Sequence, residues 1–323
     1  MTAFVVGNIL ACDEVFIPRY VNLGIKRYAI VGIKSKSFLE SQLIKTIQFP
    51  EDSEIRVIEK DSFSASTLES IKIPASVTKI CEYSFSQCNQ LQKVEFSENS
   101  ELQTIEKFAF MCTSIKEIKI PQHVKEICED AFGGCQNLQT IEFCENSELQ
   151  KIGSFIIGET GIKKIFIPAS VTEISENAFS ECESLEEIQF SEEIKLKTIE
   201  RSIISNSPIE CFTIPKNVVT LKDGWLELAP NLNKIKIMEG NKHFKFYNNT
   251  FIIGKKEPEN EEYNELIYVP RKLKKVTIPS FINRISAFSF QNSQIECIVI
   301  PSNVEEIGEK AFYDCPNLKE IRF

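Results

Sequence analysis

The chain has 323 residues, of which 42% are hydrophobic and 26% are charged, and its formal net charge at pH 7 is −9. This balance indicates a folded protein, because disordered chains carry fewer apolar residues. An acidic chain without a concentrated basic surface is not expected to bind nucleic acid. Its apolar stretches are also too short for a membrane-spanning helix, so we predict no direct membrane insertion.

The chain repeats a strand-like motif about a dozen times, in units of alternating length. The clearest copies read LQKVEF from Leu91, LQTIEF from Leu138 and LEEIQF from Leu185, with 47 residues from each start to the next. Sister copies from Ile115 and Ile162 divide each interval into two turns. Repeats of this length are typical of solenoids. We therefore predict a β-rich solenoid, in which short stacked parallel strands form a curved right-handed coil with few or no long helices.

Each turn contains two apolar segments. The first reads L-x-x-I-x-[IF] and alternates apolar and polar residues, which predicts a strand with one buried face. The second reads V-x-x-I-x-x-x-x-F, and its apolar residues are predicted to form an internal ladder on the opposite wall. The ladder comprises Ile33, Ile58, Ile80, Ile105, Ile127, Ile152, Ile174 and Ile199, each followed five residues later by Phe38, Phe63, Phe85, Phe110, Phe132, Ile157, Phe179 and Ile204, and it continues in Ile285 with Phe290 and Ile307 with Phe312.

The combined pattern, with Pro at the strand exit and Cys or Ser after the ladder Phe, resembles the BspA-type leucine-rich repeats of surface antigens from parasitic protists and mouth-dwelling bacteria. The resemblance covers roughly residues 33 to 323. The usual leucine-rich repeat has a ladder of Asn residues after its strand. This chain has none and carries Pro or Ser at the strand exit instead, which is also the pattern of the BspA type. The resemblance implies a non-catalytic protein-binding or adhesion module at a cell surface.

The motif predicts four segments along the chain. They are an N-terminal cap or irregular first turn at 1–32, repeats at 33–237, an irregular turn with a protruding hairpin and an acidic loop at 238–275, and repeats at 276–323. Phe246 and Phe251 keep the ladder spacing inside this segment, which predicts a modified turn with a protruding hairpin rather than a separate domain. The sequence stops on a strand motif from Leu318 to Phe323. We expect an unpaired strand edge there and weak self-association through it.

The sequence offers little that suggests catalysis. It holds two histidines, His123 and His243, and no recognisable nucleophile, phosphate-binding or dinucleotide motif. No C-x-x-C spacing suggests zinc. We therefore predict no catalytic residue, no metal and no cofactor, and an enzyme is only a remote alternative. Equivalent cysteines two turns apart are too distant for a disulfide, so the following are expected to be reduced core residues: Cys88, Cys135, Cys182 and Cys315.

The outward strand positions form the candidate binding surface. In chain order they are Gln48, Lys72, Glu95, Lys119, Glu142, Phe166, Gln189, Thr213, Lys236, Thr277, Val299 and Arg322. One interpretation is an alternating charge ladder over Lys72 to Glu142 that only stabilises the sheet. The other starts at Phe166, an aromatic residue where its equivalents are mostly polar. Beside it, Lys163 and Lys164 supply cations, a combination typical of interface anchors, and the candidate partner-binding set is completed by Lys116 and Lys119.

Two functions therefore stay open besides the remote enzyme. The favoured one is protein binding through the strand-lined face, with a host or self protein as partner. The alternative is an intracellular leucine-rich-repeat scaffold. Cell-surface localisation is implied by the resemblance, whereas the missing signal peptide and transmembrane segment favour the cytoplasm.

Overall fold

The chain folds as a solenoid of stacked turns. The computed structural model describes residues 2–6, 13–255, 259 and 261–323. All regular elements in these residues are strands, and no helix occurs among them, so the predicted β-rich solenoid is confirmed. The N-terminal stretch 7–12 of the predicted cap lies outside the described residues, as do residues 257, 258 and 260 of the predicted acidic loop.

The strands are short and follow one another in a regular order. The first are β1 (Thr2–Val5), β2 (Glu14–Phe16), β3 (Tyr20–Leu23), β4 (Lys26–Ile33), β5 (Thr46–Gln48), β6 (Val57–Ile58), β7 (Ser70–Ile73), β8 (Lys79–Ile80), β9 (Lys93–Phe96) and β10 (Thr104–Ile105). The central ones are β11 (Glu117–Ile120), β12 (Glu126–Ile127), β13 (Thr140–Phe143), β14 (Lys151–Ile152), β15 (Lys164–Ile167), β16 (Glu173–Ile174), β17 (Glu187–Phe190), β18 (Thr198–Ile199), β19 (Cys211–Ile214) and β20 (Thr220–Leu221). The last are β21 (Lys234–Ile237), β22 (Phe244–Tyr247), β23 (Phe251–Gly254), β24 (Glu265–Tyr268), β25 (Lys275–Thr277), β26 (Arg284–Ile285), β27 (Cys297–Val299), β28 (Glu306–Ile307) and β29 (Glu320–Arg322).

One wall of the solenoid, here called the front sheet, is built from the first segment of each turn. Its strands pair in parallel in the orders β2-β5-β7-β9, β11-β13, β15-β17, β19-β21 and β25-β27-β29. Alternate residues are buried, as in β11, where Ile118 and Ile120 face inward and Glu117 and Lys119 face outward. Among the described residues the hydrogen-bonded ladder is interrupted after the strands that end in Phe96, Phe143 and Phe190. The front sheet is therefore divided mainly into pairs of strands, one pair for each double unit.

The opposite wall is built from the second segment of each turn, in strands that are mostly two residues long and are here called the back strands. They form a continuous parallel ladder from β4 through β6, β8, β10, β12 and β14 to β16, followed by the pair β18-β20 and the series β24-β26-β28. Their register places ladder isoleucines opposite one another, for example Ile105 against Ile127 and Ile127 against Ile152. The internal apolar ladder predicted from the repeat is therefore present.

The core between the two walls is mainly aliphatic, and in the N-terminal turns it contains a stack of aromatic rings. Phe38, Phe63, Phe85, Phe110 and Phe132 lie face to face, with centroid separations of 5.0, 5.1, 5.2 and 5.6 Å between successive rings. Phe132 is fully buried. Equivalent residues stack because each turn repeats the same backbone path at the spacing of neighbouring strands.

A second internal ladder of small polar side chains accompanies the rings. Cys88 Sγ donates to the carbonyl of Phe63 at 2.9 Å, and Cys135 Sγ donates to that of Phe110 at 3.0 Å. Ser207 Oγ makes the same kind of bond to the carbonyl of Phe179, at 2.6 Å. Each of these groups satisfies a buried carbonyl of the preceding turn. The recurrence of Cys or Ser three residues after a ladder residue therefore has a structural cause.

The last described turn departs from the prediction. Ile307 is 44% exposed, and Phe312 and Cys315 are only partly buried. These residues were expected in the core. They keep contact with the preceding turn, as the 3.0 Å bond from Cys315 Sγ to the carbonyl of Phe290 shows, but among the described residues no further turn covers their other side.

The irregular turn contains an antiparallel hairpin, β22-β23. Phe246 and Phe251 lie on its two strands; Phe246 is 43% exposed, and Phe251 is not buried either. The ladder spacing in the sequence therefore does not place these two residues at fully buried rungs, because they lie on the hairpin; Phe251 still packs against the core of the C-terminal turns. Where the regular turns meet the hairpin, the Arg271 guanidinium donates to the carbonyls of Ala229 and Pro230, both at 2.6 Å.

A candidate protein-binding surface on the front sheet

The outward positions of the front sheet line up across neighbouring turns. Strand register places Lys72 opposite Glu95, Lys119 opposite Glu142, and Phe166 opposite Gln189. Their spacing along the row is about 4.8 Å per strand where the ladder is formed. The row therefore presents one side chain per turn to solvent along the length of the solenoid.

Phe166 is the large aromatic residue at the centre of this surface. It lies in β15 between the buried residues Ile165 and Ile167, and its side chain is 49% exposed. Because successive side chains of a strand point to opposite faces of the sheet, the ring must point away from the core when both neighbours point into it. It also stands beside the interruption between β13 and β15. The structure thus bears out the expectation that Phe166 points outward.

The two lysines that precede Phe166 are both engaged in ion pairs with the next turn. Lys163 Nζ lies 3.5 Å from Glu186, and Lys164 Nζ lies 2.9 Å from Glu187. Gln189 Nε2 donates to Glu187 at 2.9 Å. These bonds from Gln189 and Lys164 hold the pKa of Glu187 below its usual value, and the pKa of Lys164 is raised by the same pair. The polar groups around the ring are therefore held in place before any partner arrives.

Lys116 and Lys119 lie two strands away from Phe166. Both are exposed on or beside β11, with β13 between them and β15. Within the part of the chain that the structure describes, neither lysine forms an ion pair. The structure thus brings Lys163, Lys164 and Phe166 together on or beside β15 and places the other two lysines two front strands away.

The predicted charge ladder is only partly formed. Lys72 and Glu95 are opposite in register, but Glu95 forms its ion pair, at 2.7 Å, with Lys93 on its own strand. Between Glu95 and Lys119 the described front sheet has no hydrogen-bonded ladder. A continuous alternating ladder from Lys72 to Glu142 is therefore wrong, because the sheet is interrupted inside it.

One exposed aromatic residue of the same row was missed from the sequence. Phe16 lies in β2 opposite Gln48 of β5 and is 61% exposed. It lies in the stretch expected to be a cap. The signal was present, because the sequence V-F-I-P from Val15 repeats I-F-I-P from Ile165. Phe16 and Phe166 are six front-sheet strands apart along the row.

Comparison with protein families identifies the repeat. The profile of the BspA type leucine-rich repeat region matches in six copies, over residues 22–111, 103–233 and 264–323. These ranges span well over half of the chain. The chain belongs to the BspA-type leucine-rich repeat family. No curated protein matches it significantly.

Solved structures of bacterial leucine-rich repeat proteins share the fold. A leucine-rich repeat protein from Bacteroides ovatus superposes with a TM-score of 0.63 at 22% identity, over 97% of this chain and 88% of that one. A leucine-rich cell surface protein from Faecalibacterium prausnitzii superposes with a TM-score of 0.55 at 22% identity, over 99% of this chain and 90% of that one. At this identity the likeness establishes the fold alone.

The membrane question can be addressed for the described residues. Within them, the structure contains no helix with the length and apolarity needed to span a bilayer.

Proposed function

We propose that this chain is a non-catalytic protein-binding module whose front sheet carries the binding surface, with Phe166 as its central anchor. The observation that carries the proposal is the exposure of the Phe166 ring at a row position that is polar in most other turns. Aromatic residues at the centre of a patch contribute disproportionately to protein interfaces, because they bury a large area at little entropic cost.

The surroundings of Phe166 support this role. The ring is flanked by the ion pairs of Lys163 and Lys164, which offer polar groups at the rim of a contact. Lys116 and Lys119, which form no ion pair with any residue that the structure describes, add cations two strands away. A partner with an apolar side chain for Phe166 and carboxylates for these lysines would match the surface. Family membership supports the binding role in general, because solenoids present extended surfaces to macromolecules.

A site-specific crosslink tests the proposal in the cells that make the protein. We would introduce the variant Phe166→benzoylphenylalanine and, as a matched control on the same row, Lys72→benzoylphenylalanine. Irradiation is expected to yield a discrete protein adduct at position 166 and none at position 72. Adducts of equal yield at both positions, or at neither, would contradict a specific front-sheet contact at Phe166.

The intracellular scaffold is the second candidate, and the cysteines favour it. All ten cysteines in the described part of the chain are free thiols, a state that suits a reducing compartment. Labelling intact cells with a membrane-impermeant amine reagent separates the two candidates, since only a surface protein would react. That the chain is not an enzyme stays a prediction.

Self-association through the C-terminal edge also stays a prediction. The apolar side chains concerned are in the last described turn, where Ile307 is 44% and Ile321 42% exposed. Sedimentation of the wild type and of an Ile321→Lys variant tests it, because only a dimer formed through this edge would be lost in the variant.

A further inference from the structure

A groove lies between the β22-β23 hairpin and the turn that follows β25, and it contains no residue of the front sheet. Its volume is about 460 Å³. It is lined by the rings of Tyr247, Tyr263 and Phe281, the cation Lys245, and the carboxylates of Glu261 and Glu262. We call these six residues the aromatic groove.

Phe281 occupies a slot that other turns use for a polar residue. The equivalent residue after the strand-ending proline is Ser76 in one turn and Ser170 in another. Ser76 Oγ lies 2.8 Å from the carbonyl oxygens of both Ser53 and Ile55, which share its single proton, and so binds its turn to the preceding one. A phenylalanine cannot make such bonds. At Phe281 the chain instead exposes 45% of an aromatic residue towards the groove.

The rings of the groove are held in fixed positions. Tyr247 and Phe281 meet edge to face, with their centroids 5.2 Å apart and their planes at 69°. Tyr263 Oη donates to the carbonyl of Lys242 at 2.7 Å. The neighbouring Asn264 carbonyl accepts from the backbone nitrogen of Asn283 at 2.9 Å, which ties this segment to the next turn. An occupant would therefore meet ring faces that need little ordering.

One ring of the groove already binds cations of the chain itself. Lys245 Nζ lies 3.9 Å from the centroid of Tyr263, and Lys255 Nζ lies 5.4 Å from it. These distances are within the range of cation–π attraction, in which the negative face of the ring stabilises a positive charge. The same chemistry is open to a foreign cation at Tyr247 and Phe281, for which no such contact occurs among the described residues.

The carboxylates of the groove point to the charge of its occupant. Glu261 and Glu262 are exposed, and in the described ranges neither has an ion-pair partner. The chain as a whole carries a net charge of −9, which attracts basic partners over a distance. We propose that the aromatic groove binds an arginine or lysine side chain from a basic segment of a protein partner, with the cation between the Tyr247 and Phe281 rings and these two carboxylates.

Titration calorimetry with hexa-arginine as the probe tests the proposal on the full chain at physiological ionic strength. Phe281→Ser, which installs the residue found at this slot in other turns, is expected to weaken binding about tenfold. The double variant Glu261→Gln/Glu262→Gln should weaken it to a similar degree. Melting curves of both variants would establish that they remain folded.

Two matched controls separate this site from general attraction to an acidic protein. Phe246→Ser removes an equally exposed ring from the other face of the same hairpin, and Glu98→Gln/Glu145→Gln removes two exposed charges elsewhere. Both should leave the affinity for hexa-arginine unchanged. Equal losses in the controls, or no binding by the wild type, would overturn the proposal.

A neutral sugar provides the remaining outcome. If maltohexaose binds, and its binding rather than that of hexa-arginine is lost in Phe281→Ser, the groove is a carbohydrate site and the cation proposal is wrong. All of these results are independent of the front sheet, because Phe166 and its lysines stay intact in every variant.

Discussion

Replacing Phe132 with alanine should be strongly destabilising, because this ring is a fully buried rung of the core. Phe132 stacks on Phe110 with a centroid separation of 5.6 Å, and Ile157 occupies the equivalent position of the next turn. Truncation of a buried phenylalanine to alanine lowers the free energy of unfolding by about 3 to 5 kcal/mol, because apolar burial is lost and a cavity remains. The cavity cannot easily collapse, because both neighbouring turns are held by backbone hydrogen bonds. Lys119→Ala on the front sheet should change stability by no more than about 0.5 kcal/mol.

Equilibrium unfolding in urea measures the difference. Far-UV circular dichroism reports on the whole solenoid, and the fluorescence of Trp225, the single tryptophan, reports on a turn far from Phe132. Coincident transitions would justify a two-state free energy for the comparison. Phe132→Leu should cost less than Phe132→Ala because it fills part of the cavity. Equal midpoint shifts for Phe132→Ala and Lys119→Ala would refute the assignment of inner and outer faces.

Three further changes test other parts of the structure. Burial raises the pKa of the core thiols, to about 11 for Cys88 and Cys135 and to about 12 for Cys182. A thiol reagent should therefore modify these three residues only after denaturation, and a disulfide among them in mass spectra would contradict the packing. Burial and neighbouring glutamates raise the pKa of Asp130 from 3.8 to about 6. The folded state therefore keeps a proton that the unfolded chain releases, and stability falls as pH rises through this window. Asp130→Asn should remove that fall and raise stability at pH 7 by up to about 1 kcal/mol after allowance for solvent screening, and an unchanged slope of melting temperature against pH would show otherwise. Gly153→Ala should destabilise the fold by about 1 to 3 kcal/mol, as overpacking does at other sites, because the added Cβ would lie 2.4 Å from a backbone nitrogen of the preceding turn. In the same melting assay Gly158→Ala should be nearly neutral, since its Cβ would meet nothing closer than 3.7 Å.

Much of the fold could be read from the repeat because equivalent residues in a solenoid have equivalent neighbours. The burial of Phe85 predicts that of Phe110 and Phe132, and the outward position of Lys119 predicts that of Phe166. The repeat does not determine burial inside the irregular turn. Phe246 and Phe251 keep the sequence spacing of the ladder, yet both lie on an antiparallel hairpin, where Phe246 is 43% exposed and Phe251 is only partly buried.

The candidate sites follow the same division. Phe166 could be found from the sequence because it breaks the polar pattern of its row. Phe16 breaks the same row but stands before the first regular repeat. Phe281 replaces the polar residue that other turns have at the position of Ser76. The significance of this replacement follows only from the structure, which shows that Ser76 hydrogen-bonds to the preceding turn. That Tyr247 and Tyr263 share a groove with Phe281 depends on the hairpin, and no spacing in the sequence indicates it.

The sequence by itself determined which side chains face inward, because period-2 alternation and a fixed repeat length leave the apolar residues only one arrangement that buries them all. Only the tertiary structure decided the path of the backbone between the strands. Phe108 and Phe155 adopt left-handed conformations, with φ of 58° and 51°, which large residues seldom choose locally. They are held there because the backbone nitrogen of each donates to a carbonyl of the next turn, at 3.0 Å in both cases. Stacking supplies these bonds only once neighbouring turns are in place, so the conformation belongs to the assembled solenoid and not to any single repeat.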